Sequence, residues 1–199
     1  MSFVRPTIYI IDDDDIILWM FRELLKGIGA EIQTFTSARS FLDAYQPSPY
    51  ECLICDLRMP EIGGLEVQQQ LLDKGSYLPI ILVSGYSEIP AAVEAIKKGA
   101  FDFLEKPVDG ALLVEKVQSA LARSRQLHME QLARITREAR LALLTQKERQ
   151  IAELVVAGKS SPKIALELNL SVRTVENHRA RLMEKLHVES IVELVKLFL

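Results

Sequence analysis

The sequence predicts an α/β unit, a doubly wound parallel sheet of five strands, followed by a small all-α helix-turn-helix unit. Three observations carry this reading. Short apolar, β-rich runs alternate with helical patterns as far as residue 109, the β-rich runs then stop, and the sign of the charge changes with them. The chain has 199 residues, 49% hydrophobic and 26% charged, which excludes disorder and collagen-like repeats and allows one domain of ordinary size with a smaller one.

Strands are predicted over 7–11, 31–34, 51–55, 79–83 and 101–104, and helices over 14–28, 37–45, 65–72 and 89–98, with a further helix opening at Asp109. Continuous apolar strands are buried on both faces, so the sheet is parallel, with helices on both sides and right-handed crossovers. Asp14 and Asp15 open the first helix, where carboxylates cap free amides and oppose the macrodipole. That helix needs only a stripe such as Ile17, Phe21, Leu24 and Ile28 against the sheet, which leaves Leu18 and Trp19 facing outward. They are either covered by the rest of the chain or form a partner-docking patch. Cys52 and Cys55 are the only cysteines and lie in a strand, where residues three apart face opposite ways. They read as core residues, not as a metal or redox pair.

From 115 to 142 there is neither Pro nor Gly, and Val117, Leu121, Leu127, Leu132 and Ile135 recur irregularly. This predicts a long helix that serves over 123–142 as a semi-rigid spacer, with a coiled-coil dimer as the alternative. Beyond it, Thr145 and Glu148 form a capping box, Gly158 stops the helix, Ser160, Ser161 and Pro162 open a second one, and Asn169 and Leu170 turn into a third, capped by Ser171. Three short helices with a tight turn before the last make a helix-turn-helix. On the third helix Val175, Leu182 and Leu186 point inward, while Arg173, Asn177, Ala180, Arg181 and Glu184 point outward. Such a face offers guanidinium, amide and methyl groups to phosphates and base edges.

A net charge of −3 conceals an asymmetry: residues 1–122 carry 10 Lys and Arg against 18 Asp and Glu, a net of −8, and residues 123–199 carry 14 against 9, a net of +5. The acidic part suits cations and the basic part phosphates. In open parallel sheets ligands sit outside the carboxyl ends of the strands. Those ends carry Asp12, Asp13, Asp56, Ser84 and Lys106. Clustered carboxylates without Cys or His suit Mg²⁺, which would let one act as nucleophile toward a phosphoryl group, with Ser84 and Lys106 holding its oxygens. A phosphohydrolase with an aspartate nucleophile would need a second acid two residues on, where Arg58 stands. No apolar run approaches the ~18 residues of a membrane span, and the first eleven residues lack the shape of a secretory signal, so a soluble, cytoplasmic protein is expected.

The segments IIDDDD at 10–15, CDLRMPEIGG at 55–64, VSGYSE at 83–88 and FLEKPV at 103–108 resemble the receiver domain of two-component response regulators. The resemblance covers roughly 5–122. It implies a flavodoxin-like sheet of order 2-1-3-4-5, with Asp56 accepting a phosphoryl group from a histidine kinase. It further implies Mg²⁺ held by Asp12, Asp13, Asp56 and the carbonyl of Arg58, Ser84 and Phe103 as the switch pair, Lys106 against the phosphoryl group, and a cis Lys106–Pro107 bond. Many relatives have Thr where Ser84 stands.

Residues 144–188 resemble the LuxR-type DNA-binding domain, and the whole chain resembles the NarL/FixJ family of transcriptional regulators. A unit over 143–199 that binds double-stranded DNA through Ser161, Lys163, Arg173, Thr174, Asn177 and Arg181 is implied, with a homodimer forming on phosphorylation. Catalysis beyond Mg²⁺-dependent phosphorylation and dephosphorylation of the protein itself is not expected. Ser161 and Pro162 stand where Asn and Lys are frequent, Glu176 stands where Lys is common, and His178 matches a residue with a structural role. The last predicted helix, over 191–199, has a second apolar stripe of Val192, Val195 and Leu199, as in relatives that dimerise there.

Overall fold

The computed structural model describes residues 5–85 and 89–198. Glu88, at the end of the VSGYSE segment, and Leu199 lie outside the described residues. Five parallel strands, β1 (Thr7–Ile11), β2 (Glu31–Phe35), β3 (Glu51–Asp56), β4 (Ile80–Ser84) and β5 (Asp102–Glu105), form one sheet in the order β2-β1-β3-β4-β5. Within it Ile11 pairs with both Phe35 and Cys55, and Asp56 pairs with Val83. This register aligns the carboxyl ends of the strands at one edge. The helices between them are α1 (Asp15–Leu25), α2 (Ala38–Ala44), α3 (Gly64–Asp73) and α4 (Ile89–Lys97), and the chain leaves β5 into α5 (Gly110–Ala142).

β1, β3 and β4 are buried throughout, and alternate residues serve two separate cores. Ile8, Ile10, Cys52, Ile54, Ile81 and Val83 face one layer with Phe21, Leu25, Leu113 and Val117. Tyr9, Ile11, Leu53, Cys55 and Leu82 face the other with Phe41, Val67, Leu71 and Ala95. Cys52 and Cys55 are therefore free, fully buried and on opposite faces of the sheet.

Asp14 caps α1 by accepting from the amide of Ile16 at 2.8 Å. The buried stripe of α1 is Leu18, Phe21 and Leu25, so the predicted outward placement of Leu18 is corrected: it is 6% exposed and packs in the core. Leu24, predicted to face the sheet, is instead 38% exposed. The α-helix ends at Leu25 and tightens into a 3₁₀ turn over Lys26–Ile28, so a stripe extrapolated back from Ile28 at 100° per residue is out of phase. Trp19 remains outward, 64% exposed, beside exposed Ile16.

The chain divides into two compact units, the first ending at Met129 and the second beginning at Glu130, within α5. The second unit holds α6 (Gln146–Val156), α7 (Ser161–Leu168), α8 (Val172–Lys185) and α9 (Ile191–Phe198) around a core of Ile151, Val155, Ile164, Val175, Leu182, Leu186 and Leu194. Thr145 and Glu148 form the predicted capping box. Asn169, with φ 53°, turns α7 toward α8, whose N-cap Ser171 accepts from the amide of Thr174 at 3.0 Å. Ser160 precedes α7 without a side-chain cap bond. On α9 Val192 is exposed and Val195 half-buried. Among the described residues no helix is long and apolar enough to cross a membrane.

Candidate functional site

β1 ends at Ile11 and β3 at Asp56 because the apolar runs give way there to acids, which places Asp12 and Asp56 side by side at the carboxyl edge. Both are buried. The loop after β5 brings Lys106 to them: its Nζ donates to Asp12 Oδ2 at 2.7 Å and to Asp56 Oδ1 at 2.5 Å. The other carboxylate oxygens are held by main-chain amides, Asp12 Oδ1 by Asp14 at 2.9 Å and Asp56 Oδ2 by Arg58 at 2.7 Å. Lys106 is followed by a cis peptide bond to Pro107, and its own amide donates to the carbonyl of Ser84 at 2.7 Å.

Burial pushes the Asp12 carboxyl above the usual carboxylate range, opposed by the Lys106 ammonium and the Asp14 amide. Burial alone would lower Lys106, but its bonds to Asp12 and Asp56 outweigh that and hold it above the ordinary lysine value. The ammonium is thus a counter-charge shared by two acids. Asp13 is exposed at the rim, and Ser84 is buried at the end of β4. Phe103 on β5 is half-buried against the second core.

Oxygen donors of Asp12, Asp13 and Asp56, without Cys or His, match what Mg²⁺ accepts. Among the described residues, however, no three acids already gather as a metal cage. Lys106 occupies the position between Asp12 and Asp56, so the donor chemistry fits while the charge there is balanced by the ammonium.

In the second unit Arg173, Asn177 and Arg181 are exposed and recur every fourth residue along one line of α8, and Lys163 is exposed on α7. Thr174 is half-buried, its hydroxyl 2.7 Å from that of Ser171. Ser161 departs from the expected DNA-facing set: it is buried, and its Oγ accepts from Arg179 at 2.7 Å. Positions 175, 179, 182 and 186 follow the helical repeat of the inward face, so the inward turn of Arg179, missed above, does have a sequence signal. Lys185 also turns inward and donates to buried Glu148 at 2.7 Å, holding that carboxyl down at about 2. The basic residues of α8 therefore serve two purposes, and only the outward line is available to a nucleic acid.

Residues 8–118 match the response regulator receiver domain family, and residues 142–198 match the bacterial regulatory proteins of the luxR family. The transcriptional regulatory protein FixJ of Azorhizobium caulinodans is 41% identical over 96% of this chain and 91% of its own. The tetrathionate response regulatory protein TtrR of Salmonella typhimurium is 39% identical over 96% of this chain and 91% of its own. The solved structure of the response regulator StyR has a TM-score of 0.88 at 33% identity, covering 98% of both chains. An acid pair under one lysine at the edge of a 2-1-3-4-5 sheet, followed by a helix-turn-helix, accords with both matches: the chain belongs to the NarL/FixJ family of two-component response regulators, transcriptional regulatory proteins that join a receiver to a LuxR-type DNA-binding domain.

Proposed function

We propose that Asp56 accepts a phosphoryl group from a histidine kinase, and that this event controls the binding of double-stranded DNA by α7 and α8. The observation that carries the reading is the single ammonium of Lys106 shared between the buried carboxylates of Asp12 and Asp56. Asp56 Oδ1 attacks phosphorus, the bond to the donor imidazole nitrogen breaks, and an acyl phosphate forms. Lys106 transfers its hydrogen bond from Asp56 to a phosphoryl oxygen, and the Ser84 hydroxyl donates to another. Bound by Asp12, Asp13, Asp56 and the carbonyl of Arg58, Mg²⁺ would neutralise charge on the incoming phosphoryl group.

Phosphorylation adds roughly −1.5 to −2 charge at Asp56. Ser84 moves toward it and Phe103 turns inward, which alters the face formed by α4 and β5 and favours a homodimer whose two α8 helices address half-sites one DNA turn apart. Arg173 and Arg181 would contact phosphate or guanine, Asn177 adenine, and Lys163 and Thr174 the backbone. Trp19, exposed on α1 near the carboxyl edge, is the docking contact for the kinase. The protein acts as a phosphoacceptor and transcription factor in the cytoplasm.

Incubation with a small-molecule phosphoryl donor and Mg²⁺ should give one hydroxylamine-labile phosphate per wild-type chain and none on Asp56→Asn. Equal labelling of the two proteins would overturn the assignment of Asp56.

A further inference from the structure

The last turns of α5 carry two faces, and the fold uses only one of them. From Glu130 onward the helix belongs to the second unit. Leu141 packs against the core of that unit, and the Arg140 guanidinium donates to the carbonyls of Leu186 and His187 at the C-terminal end of α8. Leu132, Ile135, Ala139 and Ala142 lie elsewhere. At about 100° per residue they fall within about 80° of one another, with Leu141 opposite Leu132. All four are exposed, Leu132 by 45% and Ile135 by 51%. Their steps of three, four and three residues are the repeat by which one helix meets another along a seam.

No charge interrupts this line. Beside it, Gln131 and Thr136 are neutral, and Glu138 pairs with Arg134 of the same helix at 3.6 Å. An acidic partner would find no cation here, since Arg140 is turned to α8. A second copy of the helix meets no opposed like charge, and the small side chains of Ala139 and Ala142 let two backbones approach closely. We propose that this face pairs with the same face of a second copy, in parallel about a two-fold axis, when two chains occupy a palindromic DNA site. The proposal deepens the reading of the protein as a regulator that binds DNA as a homodimer, and rests on it.

The seam is short. Leu132 to Ala142 is under two heptads, against the roughly three to four over which a coiled coil is sustained. It does not hold two free chains together. Once DNA or the phosphorylated receivers keep two chains at high effective concentration, the contact adds to the affinity for a pair of half-sites. Occupation of two half-sites becomes cooperative, while binding to one is unaffected.

Cys52 and Cys55 are fully buried, so a cysteine introduced on α5 supplies the accessible thiol. Ala139→Cys places it on the seam, and Ala133→Cys on exposed helix surface at least about 100° away. The full chain is bound, with Mg²⁺ and beryllofluoride, to a palindromic duplex selected by this protein from random DNA, and diamide is added as oxidant. Ala139→Cys should form the disulfide-linked dimer at least about tenfold faster than Ala133→Cys, the effect of a raised effective concentration of thiols. Replacing Leu132 and Ile135 together by Gln, which keeps good helix formers, should weaken binding to the palindrome about tenfold and leave binding to a single half-site unchanged. Equal crosslinking at the two positions would overturn the proposal, and is the result expected if another part of the chain or a different protein covers this face. Unchanged palindrome binding by the double variant, or equal weakening on both duplexes, would overturn it too. A wild type whose affinity ignores beryllofluoride would instead overturn the phosphorylation reading, while the crosslinking comparison on the duplex still judges the seam.

Discussion

β3 carries a buried carboxylate at each end, and the two are treated in opposite ways. Asp56, at the carboxyl edge, lies under the ammonium of Lys106, which it shares with Asp12. Glu51, at the other end, has only neutral donors among the described residues: the Tyr45 hydroxyl at 2.8 Å on one oxygen and the Ser48 amide at 2.9 Å on the other. Burial pushes the Glu51 carboxyl up to about 7, with those two bonds opposing the rise. Tyr45 is also bonded to Ser76, and the amide of Glu51 donates to Ser124 on α5. The Glu51 end is a fixed clasp joining the loop after α2, β3, the α3–β4 connection and α5. The Asp56 end is held by the Lys106 ammonium and the Arg58 amide, and in the proposed reaction the ammonium passes to a phosphoryl oxygen. The difference separates a carboxylate with neutral donors from one under a cation, the one proposed to react, although both are buried acids on one strand.

The comparison breaks most visibly at Lys106. Removing the ammonium in Lys106→Met leaves two neighbouring carboxylates without counter-charge, which should cost about 3 kcal/mol of receiver stability at pH 7. Part of this should return on lowering the pH to 5, because burial pushes the Asp12 carboxyl up and the ammonium that opposes the rise is gone. Urea unfolding at the two pH values checks it, and a small, pH-independent loss would mean that the lysine is not the counter-charge.

Glu51→Gln sharpens the opposite end. The folded carboxyl at about 7 lies above its ordinary value of 4.5, so the folded chain binds more protons between those values. The contribution of Glu51 to stability is therefore fully present below pH 4.5 and is lost as the pH rises through 7. Between pH 5 and 8 the wild type should lose on the order of 2 kcal/mol from this group, while Glu51→Gln shows a flatter curve of Tm against pH. A wild-type curve no steeper than that of the variant would remove the distinction between the two ends.

The smallest effect is expected in the second unit, where Glu148 resembles the Asp56 end in having a lysine and the Glu51 end in having no reaction to perform. Its carboxyl, at about 2, lies below the ordinary value, so its stabilisation is present above pH 4.5 and is lost as the pH falls through 2. Lys185 is partly exposed and its attraction screened, so Glu148→Gln should cost about 1 kcal/mol at pH 7, through the lost charge opposite Lys185, because a glutamine oxygen can still accept from the Thr145 amide. Thermal melts of variant and wild type measure it.

Most of the fold was legible because its signals are local. Apolar strands punctuated by turn residues, the Asp14 and Ser171 caps and the Thr145 capping box depend on neighbours within four residues. The acids at the carboxyl edge were legible because the ends of parallel strands lie together whatever the loops do. Leu18 was misplaced because the phase of α1 depends on where its last turn tightens, at Lys26–Ile28, which no apolar stripe encodes. Ser161 and Lys185 escaped for a different reason. Each makes a bond to a residue distant in sequence, Arg179 and Glu148, and only the folded chain brings the partners together.

Charge added at Asp56 is proposed to change the grip of α8 on DNA. It is tested most directly by titrating a palindromic duplex, selected by this protein from random DNA, with wild type and Asp56→Asn, each with and without beryllofluoride and Mg²⁺. Wild type should bind at least about tenfold tighter with beryllofluoride, equivalent to ~1.4 kcal/mol, and Asp56→Asn should not change. Equal wild-type affinity in the two conditions, or an equal gain by Asp56→Asn, would contradict it.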